Sequence, residues 1–420
     1  MSNLNEGFWK QYYKNTTHNI NKSSSFAEFV YDKYIADLNN NKNISLRIAD
    51  LGSGNCRDSN FFASKGNIAY AIDINGENAT NIPNCIKIVE DAEPVLQNYN
   101  IHSLVDIVYM RWFLHAMPYE KAESIFKMSL HNLKPNGLIC IEVRSINDEE
   151  LKKNSVYNED DKSYTTTHKR WLYSKDKCIE LATRYNCDIV SYEEDYFSFN
   201  DNTETSNPLL IRLVLRKKLL PYYENSENYN MYKHITTSMK ERSLLSYEHL
   251  TKMDAILEKH NIKYFAVAGT LIGLTRHGGI IPWDDDIDIG FVESEWEKLK
   301  NIKDELIECG LKIHIPPIDH EAYDNQLHFG EIDCFKLTMK GDYLVGVADV
   351  LCHKDDYENM TKQIFGYTYI WAPTHCARTL SYRYKHNYFF QGDVNDNRHF
   401  KDTKVPRFTL NEFDRSFQTM

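Results

Sequence analysis

The sequence has no excess of basic residues, and this lack limits the partners that the protein can have. It contains 49 Lys and Arg against 60 Asp and Glu, which gives a formal net charge of −11 at pH 7. Proteins that bind nucleic acid in general carry a basic face that neutralises phosphates. The composition therefore argues against a nucleic-acid partner, although a few local donors or a metal ion could still hold a small anionic substrate.

Long apolar runs and regularly spaced cysteines are also lacking. The longest apolar stretch, near residues 264–274, is far shorter than the roughly 20 residues of a membrane-spanning helix. Residues 1–15 lack the basic-then-apolar pattern of a secretory signal. Nine cysteines, an odd number without regular spacing, are typical of reduced thiols rather than of a disulfide framework. We therefore expect a cytoplasmic protein with no transmembrane segment.

Length and patterning predict two domains, the first of α/β character. A chain of 420 residues is too long for one ordinary domain, and 42% hydrophobic residues suffice for two cores. From Leu46 onward, short apolar runs alternate with polar stretches of helical length, such as residues 119–133. This alternation indicates βαβ units and a parallel sheet. The predicted strands are LRIADL, IAYAIDI, CIKIVE, DIVYM and LICIEV, followed by residues 187–199 and 209–215.

The alternation ends before a second domain. Residues 239–260 carry leucines and methionines near helical spacing and predict a helix at its start. We predict four segments: a first domain at 1–218, a linker at 219–239, a second domain at 240–392 and an irregular tail at 393–420.

A glycine-rich turn and a later aspartate suggest a nucleoside cofactor in the first domain. Asp50, Gly52 and Gly54 follow an apolar strand, where glycines allow a tight turn and close approach to a ligand. Asp73 ends the next strand, about 20 residues on, and is placed to bind the two ribose hydroxyls. Nicotinamide and S-adenosylmethionine cofactors both use this arrangement, so the pattern alone does not choose between them.

The surrounding residues resemble class I S-adenosylmethionine-dependent methyltransferases, particularly those linked to surface-glycan modification. The resemblance extends over about residues 7–218 and includes EDAE at 90–93, DIVYMRWFLHAM at 106–117 and LKPNGLICIEVRS at 133–145. It implies a Rossmann-like fold that binds S-adenosyl-L-methionine. The cofactor residues that it implies are Asp50, Gly52 and Gly54 on the methionine side, Asp73 at the ribose, Asp91 and Ala92 at the adenine edge, and Arg111 facing cofactor or acceptor.

The methyl-transfer chemistry stays open at this point. Cys56 stands where such methyltransferases often carry a third glycine. Methyl transfer to a hydroxyl needs proximity and often a base. His115, Glu142 and His168 are candidates by position, with structural roles as the alternative, and His168 is also a candidate for substrate binding. A rival hypothesis is a domain that binds the cofactor without transferring methyl and regulates the second domain.

The stretch HGGIIPWDDDIDIGF, residues 277–291, combines crowded carboxylates with core-forming residues. Like charges beside a buried strand are costly unless a cation neutralises them. In a strand, Asp286 and Asp288 point to one face while Ile287 and Ile289 pack behind them. Two carboxylates on one face suit Mg²⁺, which also takes phosphate oxygens and assists phosphoryl transfer. The pattern therefore predicts a site for Mg²⁺ or Mn²⁺.

A glycine and a small hydroxyl residue precede this stretch. Gly269 and Thr270 follow the strand-like YFAV, and a strand-to-helix turn of this kind exposes backbone N–H groups to phosphate. Glycine, a short helix and then Asp-apolar-Asp is the layout of the nucleotidyltransferase-like fold. A third carboxylate from a neighbouring strand usually completes it, and Asp333 in GEIDCFKL is the best candidate.

This part of the chain closely resembles the LicD family, which includes phosphocholine transferases and the fukutin-related phosphosugar transferases, in the segment AGTLIGLTRHGGIIPWDDDIDIGF. The resemblance covers at most residues 240–390 and implies an α+β nucleotidyltransferase-like domain. Such proteins move a phospho-alcohol from a CDP-activated donor onto a glycan hydroxyl.

The LicD resemblance also implies roles for single residues. Pro282 and Trp283 are expected to shape the entrance to the strand, whereas the roles of Asp284 and Asp285 stay open. The implied site residues are Asp286 and Asp288 as metal ligands, Asp333 as a third ligand or general base, Gly269 and Thr270 at the phosphates, and Arg276 as a phosphate clamp.

The two resemblances together predict a bifunctional glycan-modifying transferase. Its partners would be a CDP-linked phospho-alcohol donor and a glycan or sugar acceptor, with no nucleic acid. Besides the regulatory alternative, nucleotidyl transfer to another acceptor stays open. The residues identify neither the acceptors nor the order of the two reactions.

Overall fold

The structure, a computed structural model, divides into two compact units, Met1–Ile101 with Val105–Leu219 and His102–Leu104 with Leu220–Met420. Pro282, Trp283, Asp285 and most of the predicted tail lie outside the residues that the structure describes. No helix in the described part of the chain is both long enough and apolar enough to cross a membrane. The described residues are 7–8, 22–74, 82–97, 104–197, 208–217, 229–281, 284, 286–314, 325–346, 351–384, 391–392 and 408–409.

The first unit contains a seven-stranded sheet, a small antiparallel sheet and seven α-helices within the described residues. Its strands are β1 (Arg47–Leu51), β2 (Ile68–Asp73), β3 (Cys85–Val89), β4 (Val105–Arg111), β5 (Leu133–Arg144), β6 (Val156–Asn158), β7 (Ser163–Thr165), β8 (Lys169–Arg170), β9 (Cys187–Asp195) and β10 (Leu210–Lys217). Its helices are α1 (Ser25–Val30), α2 (Ala36–Lys42), α3 (Arg57–Ser64), α4 (Ala92–Gln97), α5 (Tyr119–Asn132), α6 (Glu149–Lys153) and α7 (Lys175–Arg184), with a π-helical turn at Tyr31–Ile35 and a 3₁₀ turn at Leu114–Ala116.

The large sheet has the order β3-β2-β1-β4-β5-β10-β9. Strands β1 to β5 pair in parallel, whereas β10 is antiparallel to both β5 and β9. This topology confirms the predicted Rossmann-like class I methyltransferase fold. From β1 the chain continues to β2 on one side of the sheet, whereas from β4 it continues to β5 on the other side. Ligands of open α/β sheets bind at the carboxyl ends of the two strands where the strand order reverses in this way.

Burial explains why these strands were recognisable in the sequence. Every residue of β1 is buried, and so are all but the last residues of β2 and β4. Parallel strands that are covered on both faces consist of nearly continuous apolar residues. The polar residues that follow these strands therefore mark the carboxyl edge of the sheet.

A three-stranded insertion, β6-β7-β8, lies between α6 and α7. Trp171, directly after β8, is 1% exposed, and its indole nitrogen donates to the carbonyl oxygen of Asp161 at 2.8 Å. The backbone N–H of Trp171 donates to the carbonyl oxygen of His115 at 2.9 Å. The insertion is thus fixed against the segment that follows β4.

The second unit is of α+β character. Its strands are β11 (Phe265–Ala266), β12 (Ile287–Val292), β13 (Ile313–His314), β14 (Gln326–Phe329), β15 (Ile332–Lys340), β16 (Tyr343–Gly346), β17 (Leu351–His353), β18 (Thr361–Phe365), β19 (Thr368–Ala372), β20 (Gln391–Gly392) and β21 (Phe408–Thr409). Its helices are α8 (Tyr229–Lys259), α9 (Ala268–Arg276), α10 (Glu293–Asn301), α11 (Lys303–Glu308), α12 (Lys354–Glu358) and α13 (Cys376–Tyr384).

The main sheet of this unit has the order β11-β12-β15-β14-β13, and β16 pairs with both β15 and β17. Strands β12 and β15 are parallel, and the other pairs are antiparallel. Helix α8 begins at Tyr229 instead of Met239 and so occupies part of the segment that the sequence predicts to be a linker. The Asn, Thr and His residues of this segment have low helix propensity. The segment is helical nevertheless, because an established helix extends cooperatively.

The turn after α9, residues 277–281, depends on glycines that allow close backbone contacts. A Cβ atom on Gly279 would overlap the hydroxyl oxygen of Tyr247. That hydroxyl accepts a hydrogen bond from the Ile280 N–H at 2.8 Å. The Gly366 N–H donates to the carbonyl oxygen of Gly278, also at 2.8 Å. The turn that leads to the aspartates is therefore held by both α8 and the β18-β19 hairpin.

We expect Gly279→Ala to lower the free energy of unfolding of this unit by about 2 kcal/mol, because overpacking a filled site costs about 1–3 kcal/mol. Denaturant unfolding of the full chain, followed by circular dichroism, would measure the change. Gly279→Ala is also made in a Tyr247→Phe protein, which lacks the overlapping hydroxyl oxygen. In that protein the loss of unfolding free energy caused by Gly279→Ala should be smaller by at least about 0.5 kcal/mol. Equal costs in both backgrounds would contradict the contact.

Candidate functional sites

The glycine-rich turn of the first unit follows β1 at the carboxyl edge of the sheet. Gly52 and Gly54 have φ of +75° and +56°. Cys56, which replaces the expected third glycine, has φ of +61°, in the left-handed region that favours glycine. Such a conformation costs a residue with a side chain about 1–3 kcal/mol. The turn therefore keeps the backbone of a three-glycine turn in spite of the cysteine.

Asp73 lies beside this turn at the end of β2. Its Oδ2 accepts a hydrogen bond from the Gly54 N–H at 2.8 Å, and its carbonyl oxygen accepts one from the Glu90 N–H at 3.1 Å. The second contact brings Asp91 and the buried Ala92 to the same edge. Gly54, Asp73 and Asp91 thus lie along one side of the strand reversal, where the sequence predicts ribose and adenine.

Asp91 also has structural contacts of its own. Its Oδ1 accepts from the Glu93 N–H at 3.1 Å at the start of α4, and the Nζ of Lys121 lies 3.3 Å from its Oδ2. A carboxylate that caps a helix in this way stabilises the helix without any ligand. The adenine role of Asp91 and Ala92 therefore stays a prediction.

Asp50 and Gly52 make close contacts within the protein. Asp50 is buried, and the Ser59 hydroxyl donates to its carboxyl group at 2.5 Å. Burial, together with the neighbouring Asp58, raises the pKa of Asp50 to about 8. A Cβ atom on Gly52 would lie 2.5 Å from the ring of Phe113. The close approach that requires a glycine here is thus that of Phe113, and contact with the methionine side stays a prediction.

The predicted residues at the ends of β4 and β5 belong to a buried ion-pair chain. Arg111 Nε lies 3.2 Å from Glu142 Oε1, and Arg212 Nε donates to Glu142 Oε2 at 2.9 Å. Glu142 is 2% exposed. These contacts support the structural alternative for Glu142, because each of its two carboxylate oxygens already contacts a guanidinium group.

The two histidine candidates are buried as well. The Arg144 N–H donates to Nδ1 of His115 at 3.1 Å, so this nitrogen carries no proton. Burial, followed by Arg170 and Arg144, lowers the pKa of His115 well below its usual value. The same causes lower the pKa of His168 to about 3, and the ring of Phe8 stacks on His168 at 4.2 Å. Both imidazoles are therefore neutral at pH 7.

In the second unit, Asp286, Asp288 and Asp333 converge at the carboxylate cluster. Asp288 lies directly opposite Asp333 in the parallel β12/β15 pair. One carboxylate oxygen from each of the three residues lies within 4.8 Å of the other two. Burial, together with Asp286 and Asp333, raises the pKa of Asp288 well above its usual value. Three crowded oxygen ligands of this kind fit a hard divalent cation, whose charge would offset their repulsion.

The start of α9 holds the carboxylate cluster in place. The Gly269 N–H donates to Asp288 Oδ2 at 3.0 Å, and the Asp288 N–H donates to the Thr270 hydroxyl at 2.7 Å. A Cβ atom on Gly269 would lie 2.8 Å from Asp284 Oδ2, so Asp284 reaches the same place. Ala268 has φ of +44°, a strained value of the kind found at functional sites. In this structure Gly269 and Thr270 contact Asp288, and their phosphate role stays a prediction.

His328 is a member of the site that the sequence reasoning missed. It lies opposite Asp333 in the antiparallel β14/β15 pair, and its Nδ1 hydrogen-bonds to Asp333 Oδ1. Gln326 Nε2 donates to Asp333 Oδ2 at 3.3 Å. Gly330 in the segment FGEI could have predicted this pairing, because a glycine is typical of a tight hairpin turn. In the structure Gly330 has φ of +63° in a two-residue turn. A hairpin closed there places His328 beside Asp333.

Arg276 lies away from the Gly269 turn. It is the last residue of α9, about 10 Å along the helix from Gly269 by the rise of 1.5 Å per residue. Its side chain is buried, and its Nε donates to Nε2 of His277 at 2.9 Å. The clamp role of Arg276 stays a prediction, since these contacts are those of a core residue.

Comparison with known proteins agrees with the geometry of the second unit. Residues 261–329 match the family model described as LicD/FKTN/FKRP, nucleotidyltransferase domain. This segment includes Gly269, Thr270, Asp286 and Asp288 and ends just before Asp333.

Two curated relatives and one solved structure are similar to parts of the chain. Lipopolysaccharide cholinephosphotransferase LicD of Haemophilus influenzae is 37% identical over 65 residues, which are 16% of this chain and 24% of that protein. Ribitol 5-phosphate transferase FKRP of Homo sapiens is 49% identical over 35 residues, 8% of this chain and 7% of that protein. The chain thus spans about a quarter or less of the length of these curated relatives.

The solved structure is that of an S-adenosylmethionine dependent methyltransferase from Listeria monocytogenes. It is 14% identical to this chain with a TM-score of 0.36, and the match covers 46% of this chain and 99% of that one. By its strand order the first unit has the class I methyltransferase fold, and within the second unit residues 261–329 match the LicD/FKTN/FKRP nucleotidyltransferase family model.

Proposed function

We propose that the chain is a bifunctional glycan-modifying transferase. The second unit would transfer a phospho-alcohol, phosphocholine-like or a phospho-polyol, from a CDP-activated donor to a carbohydrate hydroxyl. The observation that carries this proposal is the convergence of Asp286, Asp288 and Asp333 beside the LicD-type segment. The similarity to a cholinephosphotransferase and a ribitol 5-phosphate transferase supports the substrate class.

The carboxylate cluster would hold Mg²⁺ or Mn²⁺. When bound, this cation neutralises charge on the pyrophosphate of the donor and on the leaving group. The chain itself orients these carboxylates: the Gly269 N–H donates to Asp288 Oδ2, the Asp288 N–H donates to the Thr270 hydroxyl, and His328 hydrogen-bonds to Asp333. Asp333 would be the third ligand or, alternatively, the general base that accepts the proton of the acceptor hydroxyl.

For the first unit, we propose S-adenosylmethionine binding at the edge formed by Gly54, Asp73 and Asp91. Bound there, the cofactor would supply an electrophilic methyl group, and the acceptor would lie near the ends of β4 and β5. The competing hypothesis of a regulatory domain draws support from two observations: both carboxylate oxygens of Glu142 contact guanidinium groups, and burial lowers the pKa of His115 well below its usual value. Transfer of labelled methyl to any glycan or phospho-alcohol would exclude a purely regulatory role.

We expect Asp288→Asn to abolish phospho-transfer and yet to stabilise the metal-free protein. Loss of a ligand removes metal catalysis worth several kcal/mol, so the rate of CMP release from CDP-linked donors should fall at least about a hundredfold. Asparagine also cannot ionise, so at pH values above the raised pKa of Asp288 the change relieves repulsion in the carboxylate cluster, and the melting temperature in EDTA should rise there. Asp304→Asn, an exposed change in the same unit, is the control. Full CMP release by Asp288→Asn would overturn the metal site.

We expect His328→Ala to weaken Mn²⁺ binding by about tenfold, because groups that orient metal ligands typically affect affinity by about 10–100-fold. Electron paramagnetic resonance of free Mn²⁺ would measure the affinity. His328→Asn, which keeps a donor near Asp333, should retain more affinity than His328→Ala. The exposed His260→Asn is the control, and equal affinity in His328→Ala and the control would count against the positioning role.

We expect Asp73→Asn to weaken S-adenosylhomocysteine binding by at least about tenfold, because hydrogen bonds to a charged group contribute about 1.5–3 kcal/mol. Asparagine can still accept from the Gly54 N–H, so the turn should persist. Isothermal titration calorimetry would measure the affinity, with the exposed Asp32→Asn as the control. Unchanged affinity for the cofactor product would exclude the ribose role.

A further inference from the structure

One side of α13 in the second unit is exposed and carries large polar and aromatic side chains. His375, directly before the helix, and Arg378 and Tyr382 within it recur at helical spacing, and all three are exposed. Thr379 lies on the buried side, where its hydroxyl donates to Cys352 Sγ of β17 at 3.8 Å. The exposed side of α13 is therefore fixed relative to β16 and β17.

A buried carboxylate orients two of these exposed side chains. Asp356 of α12 is 1% exposed. Its Oδ1 hydrogen-bonds to His375 Nδ1 at 2.8 Å, and both of its oxygens accept from Arg378, at 2.6 Å and 2.7 Å. The imidazole and the guanidinium group are themselves 44% and 41% exposed. A partner in the core thus holds both groups in one geometry at the surface, as a preorganised binding site requires.

Three aromatic rings lie beside these polar groups. Tyr382, one turn after Arg378 and 41% exposed, packs edge-on against Tyr343 with ring centroids 5.5 Å apart and planes at 89°. Tyr343 in turn packs edge-on against His353 at 5.1 Å and 86°. The hydroxyl groups of the two tyrosines lie 3.4 Å apart. Packing therefore fixes the orientation of the Tyr382 ring although much of it faces solvent.

From these contacts we propose that the second unit has a carbohydrate-binding surface, separate from the carboxylate cluster, that holds a part of the acceptor glycan. The proposal rests on the phospho-transfer proposed above and adds a second binding site for its acceptor. We call this site the aromatic surface, and it consists of Tyr343, His353, His375, Arg378 and Tyr382.

The aromatic surface has the two kinds of group that a sugar ring needs. A sugar ring presents C–H groups on its face and hydroxyl groups around its rim. The face can pack on the ring of Tyr382, since tyrosine combines apolar contact area with a polar end. Among the residues that the structure describes, Arg378 Nη1 and His375 Nε2 have no hydrogen-bond partner, so both are available to sugar hydroxyls.

The charges at the aromatic surface favour a neutral ligand. Arg378 is paired with Asp356, and Lys354 Nζ lies 3.2 Å from Asp342 Oδ1. Asp355, also at this surface, is exposed. A phosphate-rich ligand is attracted by a net positive patch. This surface has no such excess, and a neutral carbohydrate therefore fits it better than a nucleic acid or a phosphate group does.

The position of the aromatic surface sets the size of the acceptor. Tyr343 pairs with Lys340 at the end of β15, whereas Asp333 lies near the start of that strand. At about 3.3 Å per residue, the two places are roughly 20 Å apart along the strand. A single sugar is too small to reach both places. An acceptor that occupies both is therefore a chain of several sugars.

The test is binding of the labelled full chain to a printed array of bacterial oligosaccharides and polysaccharides, in EDTA so that metal-dependent binding at the carboxylate cluster is absent. We expect Tyr382→Ala to weaken binding to the glycans that the wild type binds by at least about tenfold, because the stacking area is lost. Tyr382→Phe, which keeps the ring, should retain most of the affinity. Tyr367→Ala removes an exposed tyrosine elsewhere in the unit and is the control.

A second variant tests the polar part of the aromatic surface. Arg378→Lys keeps the charge and loses the planar fork, so we expect it to bind the same glycans more weakly than the control does. Melting temperatures of the same samples report whether each variant is folded. A loss of glycan binding at an unchanged melting temperature separates a binding role from a purely structural one.

Three results would overturn the aromatic surface: no glycan bound by the wild type, equal binding by Tyr382→Ala and Tyr367→Ala, or single sugars bound as tightly as chains. CMP release from CDP-linked donors is measured separately. If CMP is released and glycan binding does not depend on Tyr382, the aromatic surface fails while the proposed phospho-transfer stands. If glycan binding depends on Tyr382 and no CMP is released, the proposed phospho-transfer fails and the carbohydrate-binding surface stands.

Discussion

Repulsion among neighbouring carboxylates is the constraint around which the second unit is organised. Asp286, Asp288 and Asp333 bring carboxylate oxygens within 4.8 Å of one another at the start of the β12/β15 pair, where Ile287, Ile289 and Cys334 are buried. Such an arrangement raises the free energy of the folded chain unless something offsets the charge. Backbone N–H groups and the His328 imidazole offset part of this negative charge. A bound cation would offset the rest.

Several unrelated features of the unit serve this arrangement. The strained backbone at Ala268 opens the start of α9 toward Asp288, and the glycine turn after α9 leads the chain back to Asp284. Tyr247 fixes that turn from α8, far away in sequence. Packing thus determines where the carboxylates lie, and function would follow from their separation. The proposed activity needs no large motion to assemble the site, because the three carboxylates are already together.

The strands could be predicted from the sequence, but several side-chain contacts between elements could not. The parallel strands were recognisable because burial on both faces makes them apolar throughout, and Asp288 could be matched with Asp333 through the known layout of the fold. His328 was missed because its pairing with Asp333 depends on where the hairpin turns, at Gly330. The contact of Phe113 with Gly52 depends on a side chain from another strand, which no local pattern encodes. Arg276 resembled a phosphate ligand by type, but the length of α9 separates it from the Gly269 turn.

The cysteine in the glycine-rich turn after β1 has a consequence for the chemical robustness of the first unit. Its side chain is 4% exposed, and burial raises the pKa of the Cys56 thiol to about 12. Alkylating and oxidising reagents attack the thiolate, which is scarce at neutral pH for such a group and is shielded from solvent here. A thiol next to the proposed cofactor edge would thus leave that edge insensitive to peroxide and to glutathione exchange, and the turn would need no reducing environment to keep its shape.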